Sequence, residues 1–120
     1  MVSHVVTDIA ANRPNQSWED AVSIARRHVE ALIARLPEDL RHEASAIECE
    51  FHKRCDDPHA QDTMGGYSRS AQRIRLYLHA IDEHCRVEGG DYAREIETTF
   101  LHELGHHLGL EEDDLEKRGL

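Results

Sequence analysis

The chain has no long apolar run. No segment approaches the ~20 apolar residues of a membrane span, and the opening "MVSHVVTDIAANRPN" has neither the basic start nor the apolar stretch of a signal peptide. Both absences lead to the expectation of a cytoplasmic protein with no membrane partner. Positive charge is also scarce: 14 Lys and Arg face 24 Asp and Glu, for a net charge of −10. That balance argues against a nucleic-acid partner, because a phosphate backbone is held by a basic patch. Cysteine is sparse, and Cys49, Cys55 and Cys85 are odd in number and form no CxxC pair. Without a secretory leader they read as free thiols. Cys55, His59, His84 and Cys85 lack the paired spacing of a structural zinc site, so buried or half-buried thiols are the plainer reading. Internal repeats and low-complexity linkers are missing as well. The 120 residues then make one domain with a modest core, expected to span 17–120 after a loose, irregular stretch at 1–16.

Within that domain the apolar pattern changes period along the chain. Ser17 is a candidate N-cap, with Asp20 in the capping-box position. Ala21, Ala25, Val29, Leu32 and Leu36 then recur at helical spacing, broadened by Val22, Ile24 and Ile33, and Pro37 marks the end. Trp18 reads as a packing residue in the first turn. "AIECEFHK" alternates instead: Ile47, Cys49 and Phe51 against Glu48, Glu50 and His52, a strand with one buried face. A long connection rich in turn formers follows, with a short strand expected near "GGYS". "RIRLYLHAI" alternates again and is expected to be a strand through its length. "VEGGD" is a turn, and Asp91 is a suitable N-cap for a last helix. The expected order is helix, strand, short strand, strand, helix and tail, an α+β arrangement.

The last helix carries "HELGHHLGLEEDD". His102, Glu103 and His106 form HExxH, the zinc-peptidase pattern on a helix. A chain with ten His and fourteen Glu produces this pattern by chance in about one case in ten, so the five residues alone say little. Helical phase says more. At about 100° per residue, Ala93, Ile96, Phe100, Leu104 and Leu108 gather on one stripe, and His102 and His106 lie about 160–200° from its centre. A core histidine would sit inside the stripe, and a merely solvated face would not need paired imidazoles. Gly109 falls where the helix must stop, suited to a left-handed C-terminal cap. The turn it permits sends the short tail back toward the histidines and delivers Glu112, three residues on, as a third ligand. Asp113 is the fallback, since a one-residue difference in the turn exchanges the two. Two imidazoles and a carboxylate leave the fourth position of a tetrahedral zinc to water, whose pKa falls to about 7. Glu103, about 100° round the helix from His102, reaches that water rather than the metal and serves as general base. The rest of the "EEDD" run reads as a solvated acidic tail.

With these residues in hand, the chain resembles the small stand-alone bacterial zincin-like metallopeptidases, a minimal metalloprotease family with an HExxHxxGxxE/D motif. The resemblance rests on "HELGHHLGL" followed by "EEDDLEK", on the motif's place at the C-terminus, and on "MGGYS" before a final strand. It covers the chain from about residue 17. It implies a minimal zincin-like fold: an N-terminal helix, a small mixed sheet of about three strands, and a C-terminal active-site helix. It also implies Zn2+ as cofactor, the acidic third ligand at Glu112, and peptidase activity. The spacing is similar to that of the metzincins too, but their third ligand is usually His and their Met-turn lies downstream of the motif. The expected substrate is a peptide or unstructured protein, paired with an exposed edge strand at "GGYS" or "RIRLYLHAI", and the expected state is a monomer. Tyr67, Arg69 and His107 are candidates for steadying an oxyanion; His107 otherwise reads as a helix-end or packing residue. The alternative is a non-catalytic zinc-binding structural or interaction module, in which Asp113 or His79 would close the metal shell. A third reading is a metal-free helical cap with surface histidines.

Overall fold

The computed structural model describes residues 17–118. The expected loose stretch at 1–16 lies outside them. The fold is α+β, in the order α1 (Trp18–Arg35), α2 (Glu38–Ala46), β1 (Glu48–His52), β2 (Gly65–Ser68), β3 (Arg73–Tyr77), α3 (Leu78–Glu88), α4 (Tyr92–Leu108) and α5 (Glu112–Lys117).

Helix α1 starts where Ser17 Oγ accepts a hydrogen bond from the Glu19 N–H at 3.2 Å. It buries Ala25, Val29 and Leu32, and Leu36 just past its end. Pro37 ends this helix, but it also begins α2, which was not expected. The local reasons are legible afterwards. A proline ahead of the first turn costs no hydrogen bond there, Glu38 and Asp39 oppose the positive helix end, and Leu40 and Ala44 are buried one turn apart.

The three strands form one mixed sheet in the order β1-β3-β2. β1 runs parallel to β3, with Cys49 opposite Ile74 and Phe51 opposite Leu76. β2 runs antiparallel to β3, with Gly65 opposite Leu76 and Tyr67 opposite Ile74. These residues share the inner face, where Ile74 and Leu76 are fully buried. The outer face is a ladder of charge: Arg73 pairs with Glu48 at 2.7 Å, Arg75 with Glu50 at 3.3 Å, and His52 with Glu50 at 2.9 Å.

The last expected strand is too long. It stops at Tyr77, and the chain enters α3 at Leu78. Alternation through Leu78 and Ala80 coincides with the helical spacing of Leu78, Ile81 and Cys85, all buried, and over so few residues the two periods cannot be told apart. Because β3 is central, "RIRLYLHAI" is not an edge strand; of the two edges named above, only "GGYS" (β2) is one. Helix α3 ends at Gly89, whose φ of +79° is left-handed. Helix α4 packs on β2, β3, α1 and α3. Its Ile96 and Phe100 are fully buried and Leu104 nearly so.

Candidate metal centre

Helix α4 is the beam that carries the centre. Asp91 occupies its N-cap, though its side chain makes no capping bond. The Asp91 carbonyl accepts from the Glu95 N–H at 2.9 Å. From there three faces run along the helix. Ile96, Phe100 and Leu104 enter the core, Thr99 and Glu103 are buried beneath β2, and His102 and His106 are exposed. The helical phase of the sequence is thus realised.

The two imidazoles approach edge to face, with ring centroids 4.7 Å apart. Their Nε2 atoms are 3.2 Å apart. Two nitrogens bound tetrahedrally at 2.0–2.1 Å from one zinc lie about 3.3 Å apart, so the pair fits a shared ion. Nitrogen and oxygen atoms of His102, His106 and Glu103 all fall within 4.8 Å of one another. Among the described residues this is the cluster of donors suited to a metal; Cys55, His59, His84 and Cys85 are not brought together. Burial pushes the Glu103 carboxyl above its ordinary range, while His106 and His102 draw it back down.

Gly109 closes α4 in the left-handed conformation expected of it, with φ of +72°. The chain then folds back: the Leu110 N–H donates to the Gly105 carbonyl at 2.8 Å. Gly105 is buried, and a methyl group there would lie 3.2 Å from Leu115 Cδ1 and 3.4 Å from the Leu110 carbonyl oxygen. Its missing side chain is what seats the returning tail, a role that spacing did not reveal. The backbone of α5 begins at Glu112; the Glu112 side chain lies outside the described part of the structure. Asp113 is exposed. Asp114 has a structural task, since its carboxylate accepts from the Glu111 N–H at 3.0 Å. Arg118 then ties the tail to α2, donating to both Asp39 carboxylate oxygens at 3.0 and 2.8 Å. This bond holds the Asp39 carboxyl below its usual range.

A family model of zincin-like metallopeptidases matches residues 29–120. The chain belongs to the zincin-like metallopeptidase family. A comparison with curated proteins finds no match. The matched region takes in every element from β1 onward, together with the C-terminal part of α1 and all of α2.

In this zincin-like chain the remaining candidates separate. His107, next to the metal face, has Nδ1 at 2.7 Å from the Tyr67 hydroxyl, so two of the candidates for oxyanion contact meet. Arg69 is exposed in the turn after β2. His79 packs edge-on against Trp18, with centroids 5.9 Å apart, and is not part of the His102–His106 cluster. A broad concavity of about 870 Å³ runs along α2, lined by Glu38, Asp39, Arg41, His42, Glu43 and Ser45. The imidazole pair does not line it.

One further residue, Gly65, shapes the centre without a motif to mark it. A methyl group on Gly65 would meet Thr99 Cγ2 at 2.6 Å and Glu103 Cγ at 3.3 Å. Glycine is therefore what lets β2 lie directly on the Glu103 side of α4. The glycine pair in "MGGYS" was the available signal, but it points equally to a turn.

Proposed function

We propose that this protein is a zinc-dependent peptidase in which His102, His106 and Glu112 hold the metal and Glu103 is the general base. The observation that carries the reading is the exposed imidazole pair beside a buried carboxylate that packs against Gly65 of β2, an edge strand among the described residues. When bound, zinc supplies a Lewis acid that acidifies water and polarises a carbonyl.

The protein's own residues do the rest. His102 and His106 present Nε2 lone pairs from one helix face, one turn apart. Glu103 is buried against Gly65, with its carboxylate within 4.8 Å of the imidazole nitrogens. It is placed to accept a proton from a water there and to return it to the leaving amine. Edge strand β2 supplies a cradle for the substrate. The Tyr77 N–H donates to the Met64 carbonyl at 2.9 Å, which sets the alternation of the β2–β3 ladder. By that alternation the N–H and C=O groups of Gly65 and Tyr67 point out of the sheet. An extended peptide adds to such an edge through main-chain bonds, which suits an unstructured substrate.

The test is Glu103→Gln. It is expected to keep zinc and fold but to lose about 10²–10⁴-fold in hydrolysis of a diverse pool of unstructured peptides. Cleavage that persists in the variant belongs to a contaminating protease. If neither protein cleaves and a metal-bound structure shows four protein ligands, the zinc is a structural staple and the peptidase reading is wrong.

A further inference from the structure

The outward edge of β2 and the metal face sit on different elements, and a peptide laid on one reaches the other only if their separation is fixed. Backbone pairing with β3 does not fix it, because a two-strand ladder can twist. Gly65 and Tyr67 both tie β2 to α4. Gly65 abuts Thr99 and Glu103. One turn further along the helix, Tyr67 meets His107 with ring centroids 5.4 Å apart and a hydroxyl-to-Nδ1 distance of 2.7 Å. Gly65 and Tyr67 are also the residues whose main-chain groups face the open edge.

We propose that Tyr67 and His107 form a clamp that fixes the open edge of β2 relative to the metal face, making both positioning residues for a bound peptide; this rests on the peptidase reading above. The chemistry suits a fixed contact. The side chain of His107 is only 15% exposed, and its Nε2 faces the Glu43 carboxylate at 3.7 Å. Nδ1 and the Tyr67 hydroxyl share one hydrogen bond, while the Glu43 carboxylate stands near the far side of the ring. The contact touches three elements: α2 faces the imidazole through Glu43, α4 carries it, and β2 is held by it. His107 directly follows His106, so any movement of β2 is referred to the helix turn that bears the imidazole pair.

The test titrates a pool of random-sequence decapeptides into the ¹⁵N-labelled full chain carrying Glu103→Gln and supplied with zinc, and follows the amide signals. The Gly65 and Tyr67 amides are expected to shift. Adding Tyr67→Phe, which removes one oxygen, is expected to weaken the apparent affinity by about 2- to 10-fold, the range of a single hydrogen bond, with zinc affinity unchanged. His107→Ala is expected to weaken it similarly, and His107→Asn, which keeps an acceptor near the place of Nδ1, to restore most of it. Tyr67→Phe keeps the ring and its packing, so the test survives if His107→Ala fails to fold. Silent Gly65 and Tyr67 amides, or Tyr67→Phe binding as tightly as its parent, overturn the clamp. Hydrolysis of the same pool by the unaltered protein is a separate readout: an edge response without hydrolysis sinks the peptidase reading and leaves the clamp, while hydrolysis with a silent edge sinks only the clamp.

Discussion

At the scale of single residues, the tail decides how the centre is completed. Glu112→Ala is expected to weaken zinc binding by an order of magnitude or more, roughly the loss of one of three protein ligands, and Asp113→Ala to leave it nearly unchanged. Chelator competition measures both, and the reverse ranking would show that the turn after Gly109 delivers Asp113 instead. From sequence alone, Asp114 looks dispensable. Its bond to the Glu111 N–H makes it a cap, so Asp114→Ala should cost about 1 kcal/mol of local helix stability and loosen the metal indirectly. A different residue-scale prediction concerns Cys49. Burial pushes its thiol up to about 12, and the thiolate is the reactive form. Iodoacetamide at pH 8 is expected to spare Cys49 in the folded protein and modify it after denaturation. Rapid native labelling at that position, read by peptide mass mapping, would contradict the half-buried placement on the inner face of β1.

At the scale of elements, two glycines set how closely neighbours approach α4. Gly65→Ala forces a methyl into contact with the buried Thr99 side chain at 2.6 Å, and overpacking of this kind costs about 1–3 kcal/mol. Urea unfolding should show that loss. Gly105→Ala behaves differently. Alanine favours the helix by about 1 kcal/mol over glycine, yet its methyl meets Leu115 at 3.2 Å and displaces the tail. Global stability should stay nearly constant while zinc affinity falls several-fold, a split that unfolding and chelator titration together reveal. Equal losses in both would mean that the tail is part of the core rather than a seat for a ligand. Helices α2 and α3 belong to this scale as well. Both are short, nine and eleven residues, and short apolar patterns carry two periods at once. Their helical state depends on burial against the rest of the fold more than on propensity.

For the molecule as a whole, metal binding and folding are one equilibrium. A ligand present at 100 times its Kd stabilises the folded state by about 2.7 kcal/mol, or about 10 °C in Tm for a domain of this size. Thermal unfolding with and without a chelator is expected to differ by about that amount, and His106→Ala should abolish the difference. A full zinc shift in His106→Ala would remove that residue from the ligand set. The α+β class, the motif helix, its core and histidine faces and its glycine stop were legible beforehand; the buried Thr99 and Glu103 face and helices α2, α3 and α5 were not. The legible features depend on intervals of three and four residues, on a cap and on a left-handed turn, which are local properties of the chain. The same local logic brought His102, Glu103 and His106 together, since one helix turn separates them. What no interval along the chain contained was the strand order that makes β2 an edge and buries β3. Nor did it contain the fit of Gly65 on Glu103, the seat of Leu115 on Gly105, or the meeting of Tyr67 with His107. Those pairs lie 38, 10 and 40 positions apart in sequence. Each exists because helices and sheet close over a shared apolar core, and the energy of that closure, not the preference of either partner, decides which side chains touch.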